Sequence, residues 1–341
     1  MPNIQNQDRI HVVHKDEVEF FVSLFKEIDD NIYTLLRQAQ IPNDLTSPDS
    51  DYTYLPETTL KNLMQILGSK TSKEDFGILV WSACKNVYIP RFVGQLKQTH
   101  SLKGALDEFG QLLKLKSSSA DVYTKYSGGK WWLVREKNGN GELWFKYAEM
   151  FSVIFISELL KALTDGRWQP SEVGIRSSDP TDFHALPEMS KAQFFTERPV
   201  TAFLIPDELM LSPITAPSKS KPDTTADIPM YDFLSSFKLA IKPYLSMGKL
   251  PIKIAAEILN LNVRTIQRKL EKEGVTYSEV IEQMVLEQIL QLLKCETVPI
   301  TVIAAKMGYS DSGHFTRAFK RLMNMTPRQY RKNLAHEVGK S

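Results

Sequence analysis

Residues 300–331, ITVIAAKMGYSDSGHFTRAFKRLMNMTPRQYR, contain two apolar helical patterns separated by a short turn. The first pattern places four apolar residues at the i, i+3, i+4 and i+7 spacing of one helical face: Ile300, Ile303, Ala304 and Met307. Gly308 predicts the end of that helix, because glycine readily adopts the left-handed backbone that a sharp turn requires. Asp311 is a suitable N-cap for the next helix. The stretch therefore predicts a helix, a tight turn and a second helix.

The second predicted helix has an apolar side and a more basic side. Phe315, Phe319 and Leu322 share the inward face by the same spacing. The remaining surface carries the candidate DNA contacts of this helix: Ser312, Gly313, His314, Arg317, Lys320 and Arg321. Asn324 can end the helix in the left-handed conformation. A third, closing helix is predicted to follow, capped by Thr326 and beginning at Pro327.

An equivalent pattern occurs upstream in residues 250–272, LPIKIAAEILNLNVRTIQRKLEK. Asn260 takes the place of the turn glycine, and asparagine is the next residue most tolerant of that backbone. Asn262 is the predicted N-cap of the next helix, whose Ile266 and Leu270 are predicted to face inward. The candidate DNA contacts of this copy are Arg264, Thr265, Gln267, Arg268 and Lys269. Arginine and glutamine on an exposed helix can bind the edges of guanine and adenine in a major groove.

Residues 276–294 predict one long helix between the two copies. At about 1.5 Å per residue this helix would be roughly 28 Å long, which approaches the ~34 Å between successive major-groove faces on one side of a duplex. One chain could therefore reach two neighbouring grooves. We expect base contacts chiefly from Arg264, Gln267, Arg268, Ser312, His314 and Arg317, and phosphate contacts from Lys269, Lys320 and Arg321.

The charge of the chain is unevenly distributed. The whole chain of 341 residues has a net charge of only +2. From Met230 onward there are 17 Lys and Arg against 10 Asp and Glu, a net charge of +7, whereas the preceding residues have 25 against 30, a net charge of −5. A basic C-terminal third beside an acidic remainder suits phosphate binding by one domain only. The length of the chain suits two domains.

Residues 230–335 resemble the AraC/XylS-type DNA-binding domain of bacterial transcription regulators. The resemblance is carried by Ile303, Ala304, Gly308, Tyr309, Ser310, Asp311, His314, Phe315, Arg317, Phe319, Lys320, Thr326, Pro327, Tyr330 and Arg331. Two departures lie in the long helix, where the family usually has an arginine in place of Val285 and an alanine in place of Ile289. The alternative interpretation, a helical bundle with solvated basic residues, does not explain the two patterns and the closing segment together.

The resemblance implies an all-α C-terminal domain with two helix-turn-helix motifs joined by a long linker helix. It implies double-stranded promoter or operator DNA as the partner, a homodimer, and RNA polymerase as a further partner if the protein is an activator. Residues 212–230, SPITAPSKSKPDTTADIPM, contain four prolines and little apolar content and predict an exposed linker. We therefore divide the chain into an N-terminal domain (residues 1–211), a linker (212–230) and a DNA-binding domain (231–341).

The chain before the linker is predicted to be a mixed α+β domain. Helical spacing predicts two helices within residues 17–40 and one helix each within residues 56–67, 75–85, 101–113 and 149–163. Residues 122–126 are β-rich, and residues 130–137, the Asn-Gly-Asn-Gly turn at 138–141 and residues 142–147 predict a hairpin. Further strands or extended segments are predicted at residues 170–177, 192–195 and 202–205. The order of the strands does not follow from this pattern.

Residues 20–213 resemble the N-terminal effector domain, described as arabinose-binding-like, of one branch of AraC-type regulators. The resemblance rests on the segments LLRQAQIP, SLKGALDEF, WWLVRE, GRWQPSEV and FLIPDELMLSPI. It implies a small-molecule sensing or dimerising role. Aromatic faces suit sugars and other flat or cationic ligands, and the candidate ligand contacts are Trp131, Trp132, Arg135 and Trp144. The alternative is a ligand-independent dimerisation or protein-docking module.

The sequence favours neither an enzyme nor a membrane protein. It contains no Gly-x-Ser-x-Gly, His-Glu-x-x-His or phosphate-loop motif, and Cys84 and Cys295 lie too far apart in sequence for a metal-ligand spacing or a disulfide framework. We therefore expect no catalytic site, cofactor or metal. The N-terminus lacks the apolar core of a signal peptide, and the most apolar run, residues 151–163, is too short to span a bilayer. These features predict a cytoplasmic protein associated with the nucleoid.

Overall fold

The computed structural model describes residues 9–29, 31–48, 50–96, 101–137, 139, 142–214, 232–247, 250–295 and 297–338. The chain separates into two compact units. We call His11–Thr53 with Glu57–Met230 the sheet unit, and Met1–Ile10, Tyr54–Pro56 and Tyr231–Ser341 the helical unit. The predicted linker, residues 212–230, falls outside the described residues from position 215 onward.

Helices and short strands alternate in the chain before the linker. In order, the described elements are β1 Val12–His14, α1 Lys15–Lys26, α2 Ile32–Gln38, β2 Tyr54–Pro56, α3 Glu57–Lys70, α4 Lys73–Ala83, a π-helical turn Cys84–Tyr88, α5 Ile89–Val93, α6 Leu102–Lys116, β3 Asp121–Ser127, β4 Lys130–Glu136, α7 Leu143–Leu163, β5 Glu172–Gly174, α8 Thr181–His184, β6 Gln193–Phe195, β7 Thr201–Ile205 and α9 Asp207–Met210. The predicted helices are confirmed by α1, α2, α3, α4, α6 and α7.

Five strands form the sheet of the sheet unit, in the order β3-β4-β7-β5-β6. β3 and β4 pair antiparallel from Asp121 opposite Glu136 to Ser127 opposite Lys130. β7 pairs antiparallel with both β4 and β5, and β6 runs parallel to β5. Because side chains alternate between the faces of a strand, Leu133 and the opposed Phe203 point to the same side, and neither is exposed to solvent. The predicted α+β class of this region is therefore observed.

α7 is the central helix of the sheet unit. Fifteen of its 21 residues are buried, as expected for a helix that other elements surround on most sides. The predicted strand at residues 142–147 is wrong, because this segment leads into α7 and places Trp144 and Phe145 in its buried first turn. β4 pairs with β3 and β7 instead. The predicted turn residues 138, 140 and 141 lie outside the described residues.

A fully buried carboxylate fixes α7 to the sheet. Glu149 accepts hydrogen bonds from the backbone N–H groups of Arg176 (2.8 Å) and Ser177 (3.1 Å). It also accepts from the hydroxyls of Ser177 and Thr201, both at 2.7 Å. Burial of a carboxylate is tolerated only where such donors replace water. Glu149 therefore ties α7 both to β7 and to the segment that follows β5.

The described C-terminal residues of the helical unit are helical. The elements are α10 Phe233–Ile241, a 3₁₀ segment Lys242–Met247, α11 Ile252–Leu259, α12 Val263–Lys272, α13 Tyr277–Lys294, α14 Ile300–Lys306, α15 Ser312–Met323 and α16 Pro327–Val338. α13 begins with a capping box between Thr276 and Glu279, and Val280, Ile281 and Met284 on its inward side are buried. No helix in the described part of the chain has the length and apolar composition needed to cross a bilayer.

Candidate nucleic-acid interface and candidate ligand cavity

We call α11 and α12 the first helix pair, and α14 and α15 the second. The first pair turns at Asn260, which has the predicted left-handed backbone, with φ 50° and ψ 46°. Asn262 occupies the predicted N-cap position of α12, but its side chain makes no capping hydrogen bond to that helix. Ile266 and Leu270 are fully buried, as predicted. This burial fixes which side of α12 faces solvent.

The solvent side of α12 holds the candidate contacts of the first pair. Arg264, Gln267 and Arg268 are exposed, whereas Thr265 and Lys269 are half-buried. Neither Arg264 nor Arg268 forms an ion pair within the described residues. The Nζ atom of Lys269 lies 5.1 Å from the centre of the Phe233 ring on α10. Lys269 therefore already has a cation–π contact within the protein, and Arg264 and Arg268 have their charged groups available to a partner.

The second pair turns at Gly308, whose φ of 71° confirms the predicted left-handed turn. Asp311 is the N-cap of α15, and its carboxylate accepts a 2.7 Å hydrogen bond from the backbone N–H of His314. That hydrogen bond, assisted by the nearby Arg317, holds the pKa of Asp311 below its usual value. The predicted cap is therefore formed, and it orients the first turn of α15.

The apolar side of α15 is buried in the core of the helical unit. Phe315 and Phe319 are almost completely buried, as predicted, and Leu322 is half-buried. α15 ends at Asn324, whose left-handed backbone was predicted. Thr326 accepts a hydrogen bond from the Gln329 backbone N–H, at 3.3 Å, and caps α16. The predicted closing helix is thus present.

All six candidate contacts of α15 are exposed: Ser312, Gly313, His314, Arg317, Lys320 and Arg321. Two of them have partners within the protein. The Arg321 guanidinium bonds to Glu282 of α13 at 3.0 Å, and the His314 ring contacts Tyr309 edge-on, with 5.6 Å between ring centres. Sequence reasoning missed Glu282, because the two partners of this ion pair are 39 positions apart.

A cavity of about 80 Å³ lies within the sheet unit. Its apolar lining comes from Val13, Phe21, Leu60, Met64, Leu113, Ala120, Val122, Trp144, Ala148, Phe151, Phe155 and Ile156. Its polar lining comes from Glu17, Lys61, Ser117, Arg135, Lys137 and Ser152. Of the four predicted ligand contacts, Arg135 and Trp144 are brought together in this wall, and both are buried.

The other two predicted ligand contacts lie on β4 outside the cavity wall. Trp131 is half-buried and contacts Tyr126 edge-on, with 5.1 Å between ring centres. Trp132 is half-buried, and its Nε1–H donates to the backbone carbonyl of Ser127 at 3.2 Å. The structure therefore separates these two tryptophans from Arg135 and Trp144.

Sequence reasoning missed three charged residues of the cavity region. Lys137 forms a 2.6 Å ion pair with Glu57, and both side chains are buried. Burial would raise the pKa of Glu57, but Lys137 and Lys61 together bring it down to about 2. Burial raises the pKa of Glu17 to about 7. Glu17 lies four positions before Phe21, on the same face of α1, so its inward position could have been inferred from helical spacing.

The helix-turn-helix domain family matches residues 255–333, which span both helix pairs. The curated relatives of this region include the transcriptional activator RhaS of Escherichia coli, 36% identical over 77 residues, a match that covers 22% of this chain and 28% of RhaS. Residues 255–333 are therefore similar to the helix-turn-helix domains of these regulators.

A second relative is the transcriptional regulator VirS of Mycobacterium tuberculosis. It is 33% identical to this chain over 87 residues, which are 26% of each protein. The chain spans about a quarter of the length of these curated relatives. They are regulators with DNA-binding domains and not enzymes. The crystal structure of the regulator CdpR from Pseudomonas aeruginosa aligns over 88% of this chain and 96% of its own, with 17% identity and a TM-score of 0.35.

Both departures from the usual AraC/XylS pattern lie against the second helix pair. Ile289, where the family usually has alanine, is 1% exposed and belongs to the core cluster that includes Ile303 and Phe315. Val285, where the family usually has arginine, is partly buried against the same cluster. These larger or more apolar side chains therefore join α13 to the second pair by apolar packing.

The two cysteines lie outside both candidate sites. Cys84 is buried and Cys295 is exposed, and both are free thiols. Among the residues that the structure describes, no group of three or more His, Cys, Asp or Glu side chains is arranged to hold a metal ion. The two candidate sites therefore consist of the α12 and α15 surfaces and the cavity of the sheet unit.

Proposed function

We propose that the chain is a sequence-specific DNA-binding transcription regulator of the AraC/XylS type. The observation that carries this proposal is the repeated arrangement of α12 and α15. Each follows a short helix and a left-handed turn residue, Asn260 or Gly308, and each buries its apolar side while its polar and basic side chains face solvent. The names of the curated relatives, which are transcriptional regulators or activators, support the same function.

The two helix pairs act as two helix-turn-helix motifs joined by α13. α13 has 18 residues, so its axis is roughly 27 Å long at about 1.5 Å per residue. Successive major-groove faces on one side of a duplex are ~34 Å apart. This length supports the insertion of α12 and α15 into neighbouring major grooves.

The outward side chains divide by chemistry into two groups. Base contacts come from Arg264, Gln267 and Arg268 on α12 and from Ser312, His314 and Arg317 on α15. Phosphate contacts come from Lys269, Lys320 and Arg321, and Thr265 and Gly313 complete the DNA-facing surface. This division follows from the fork geometry of arginine and the paired donor and acceptor of glutamine, which distinguish bases, and from the single point charge of lysine.

The sheet unit regulates DNA binding in response to an effector and forms the contacts of the dimer. Its cavity, with Arg135 and Trp144 in the wall, supports the binding of a small-molecule effector. The protein works as a homodimer on promoter DNA, with RNA polymerase as a partner where it activates, and it resides with the nucleoid in the cytoplasm.

Selection of binding sites from random duplex DNA by the full-length protein tests this function. We expect a motif of two short blocks about one helical turn apart, because two helices would read neighbouring grooves of one face. A repeated or palindromic version of that motif would indicate a dimer. The recovery of unselected DNA, with affinity that falls steeply as salt rises, would mean that the helix pairs only bind phosphate and would refute the proposal.

The same selection, repeated with a fractionated metabolite extract, tests control by an effector. A change in the selected motif or in the amount of DNA bound would support a sensing sheet unit. An identical result with every fraction, together with an unchanged melting temperature, would instead favour a sheet unit that only dimerises or docks a protein.

A further inference from the structure

An unpaired cation borders the cavity of the sheet unit. Arg135 lies on β4 with 9% of its surface exposed, and its side chain lines the cavity. Within the described part of the chain, the Arg135 side chain forms neither a hydrogen bond nor an ion pair. A guanidinium has five N–H donors, and a buried charge without a partner is unfavourable. The cavity wall therefore contains a donor group that an anion could satisfy.

The two carboxylates whose charges act on Arg135, Glu149 and Glu57, already have other partners. Glu149 accepts hydrogen bonds from the backbone beyond β5 and from Thr201. Glu57 is paired with Lys137 at 2.6 Å and accepts a hydrogen bond from Ser119. These contacts hold both carboxylates in place. Neither carboxylate is therefore free to pair with Arg135, whose side chain has no partner among the described residues.

We propose that the cavity binds a small monocarboxylic acid whose carboxylate pairs with Arg135. The planar fork of arginine matches a carboxylate with two parallel hydrogen bonds. The apolar part of the acid would lie against Phe21, Met64, Phe155 and Ile156, which come from three helices around the cavity. The inference rests on the proposed function, because it gives the chemical class of the effector.

The charge and the size of the cavity select this class of ligand. Lys137 is neutralised by Glu57, and Lys61 lies 3.8 Å from the same carboxylate. One unpaired positive charge suits a monoanion better than a phosphate group, which carries about two negative charges. The cavity of about 80 Å³ is roughly half the size of a ~150 Å³ cavity that holds benzene. The apolar part of the ligand therefore has only a few carbons.

Glu17 also faces the cavity and does not prevent the binding of an anion. It is 5% exposed, and burial raises its pKa to about 7 although Lys116 and Arg91 act in the opposite direction. Near neutral pH a large share of the Glu17 carboxyl groups carries a proton. In that form the carboxyl group can donate a hydrogen bond to a bound carboxylate.

Thermal melting of the full-length protein with small acids tests the proposal. The probes are propionate and butyrate, and the controls are propionamide and butyramide, which have similar shapes without the charge. We expect the acids to raise Tm by about 5–10 °C at a hundredfold excess over Kd, and the amides to have no effect. Equal shifts with butyrate and butyramide would overturn the proposal.

Three variants assign the effect to Arg135. Arg135→Met removes the charge and keeps much of the side-chain volume, so we expect butyrate to bind about tenfold more weakly or worse, measured by calorimetry. Arg135→Lys is the second test in case the methionine variant misfolds. It keeps the charge and loses the fork, so its affinity should fall several-fold, and an unchanged affinity would overturn the pairing. Lys130→Met, at the exposed end of the same strand, is the matched control and should retain binding.

The selection of DNA sites separates this inference from the proposed function. Butyrate binding that depends on Arg135, without any selected DNA motif, would support the ligand class and refute the regulator. A selected motif together with no response to either acid would support the regulator and refute the ligand class.

Discussion

The two helix pairs have the same backbone arrangement, but their outward side chains differ in whether they already contact other residues of the protein. On α12, Arg264 and Arg268 are exposed and form no ion pair with another described residue. On α15, Arg321 is bonded to Glu282 at 3.0 Å, and the His314 ring contacts Tyr309 edge-on. The first pair can offer its arginines to DNA directly, whereas the second must first give up contacts within the protein.

This difference leads to a division of labour that can be tested. Exposed ion pairs contribute only about 0–1 kcal/mol, so DNA phosphates can compete with Glu282 for Arg321. The exchange nevertheless reduces the net gain from each contact of α15. We therefore expect α12 to supply most of the base discrimination and α15 to contribute more to positioning.

The largest expected effect is that of Arg268→Ala. Loss of a fork-shaped base contact should reduce the preference for one base pair by about 1–3 kcal/mol, whereas His314→Ala should reduce it less, because the His314 ring must first leave its contact with Tyr309. Competition binding with single-base variants of the selected site would measure both. Lys272→Ala, at the exposed end of α12, is the control and should weaken binding to all DNA sequences equally. An equal loss of affinity for all sequences in Arg268→Ala would mean that Arg268 contacts phosphate and not a base.

A smaller effect is expected at the two turns. Gly308 has a φ of 71°, and a residue with a Cβ atom in this conformation costs about 1–2 kcal/mol. Gly308→Ala should therefore lower the free energy of unfolding by about 1 kcal/mol in urea titrations. Asn260→Gly, at φ 50°, should change the free energy of unfolding by only a few tenths of a kcal/mol, because asparagine tolerates this backbone. If Asn260→Gly instead raised the free energy of unfolding by as much as Gly308→Ala lowers it, asparagine in the first turn would be as strained as alanine in the second.

The smallest effect is expected from Glu282→Gln. This change removes the carboxylate that holds Arg321 and should strengthen DNA binding by less than about 1 kcal/mol. The dependence of log affinity on log salt should steepen by about 1, since one more cation reaches phosphate. Glu287→Gln, elsewhere on the exposed side of α13, is the matched control. No change in the salt dependence would mean that Arg321 does not reach DNA.

Local features of the second pair followed correctly from the sequence. Gly308, Asp311, Asn324 and Thr326 take the predicted turn and capping roles. Turns and caps are decided by a few neighbouring residues, whose backbone preferences and hydrogen-bonding atoms can be read in order. Asn262 shows where this approach ends. It occupies the predicted N-cap position of α12, but its side chain does not form the capping hydrogen bond.

Features that depend on distant residues could not be predicted in the same way. The sequence around Trp144 is compatible with an alternating strand and with a helix. In the structure it is the first turn of α7, and Trp144 is buried there. The pairing of Arg321 with Glu282 joins positions 39 residues apart. Arg135 was a candidate ligand contact by its place in an aromatic segment. Its lack of a partner among the described residues follows only from the contacts that engage Glu149 and Glu57.

The contact between Lys269 and Phe233 has a consequence for α10. Phe233 is the first residue of α10, and its ring lies 5.1 Å from the Lys269 ammonium on α12. α10 is the first helix after the predicted linker, and α12 contacts it through this pair. A phosphate that attracted Lys269 would compete with the Phe233 ring for the same ammonium, so an anion bound at α12 would loosen one of the contacts that hold α10.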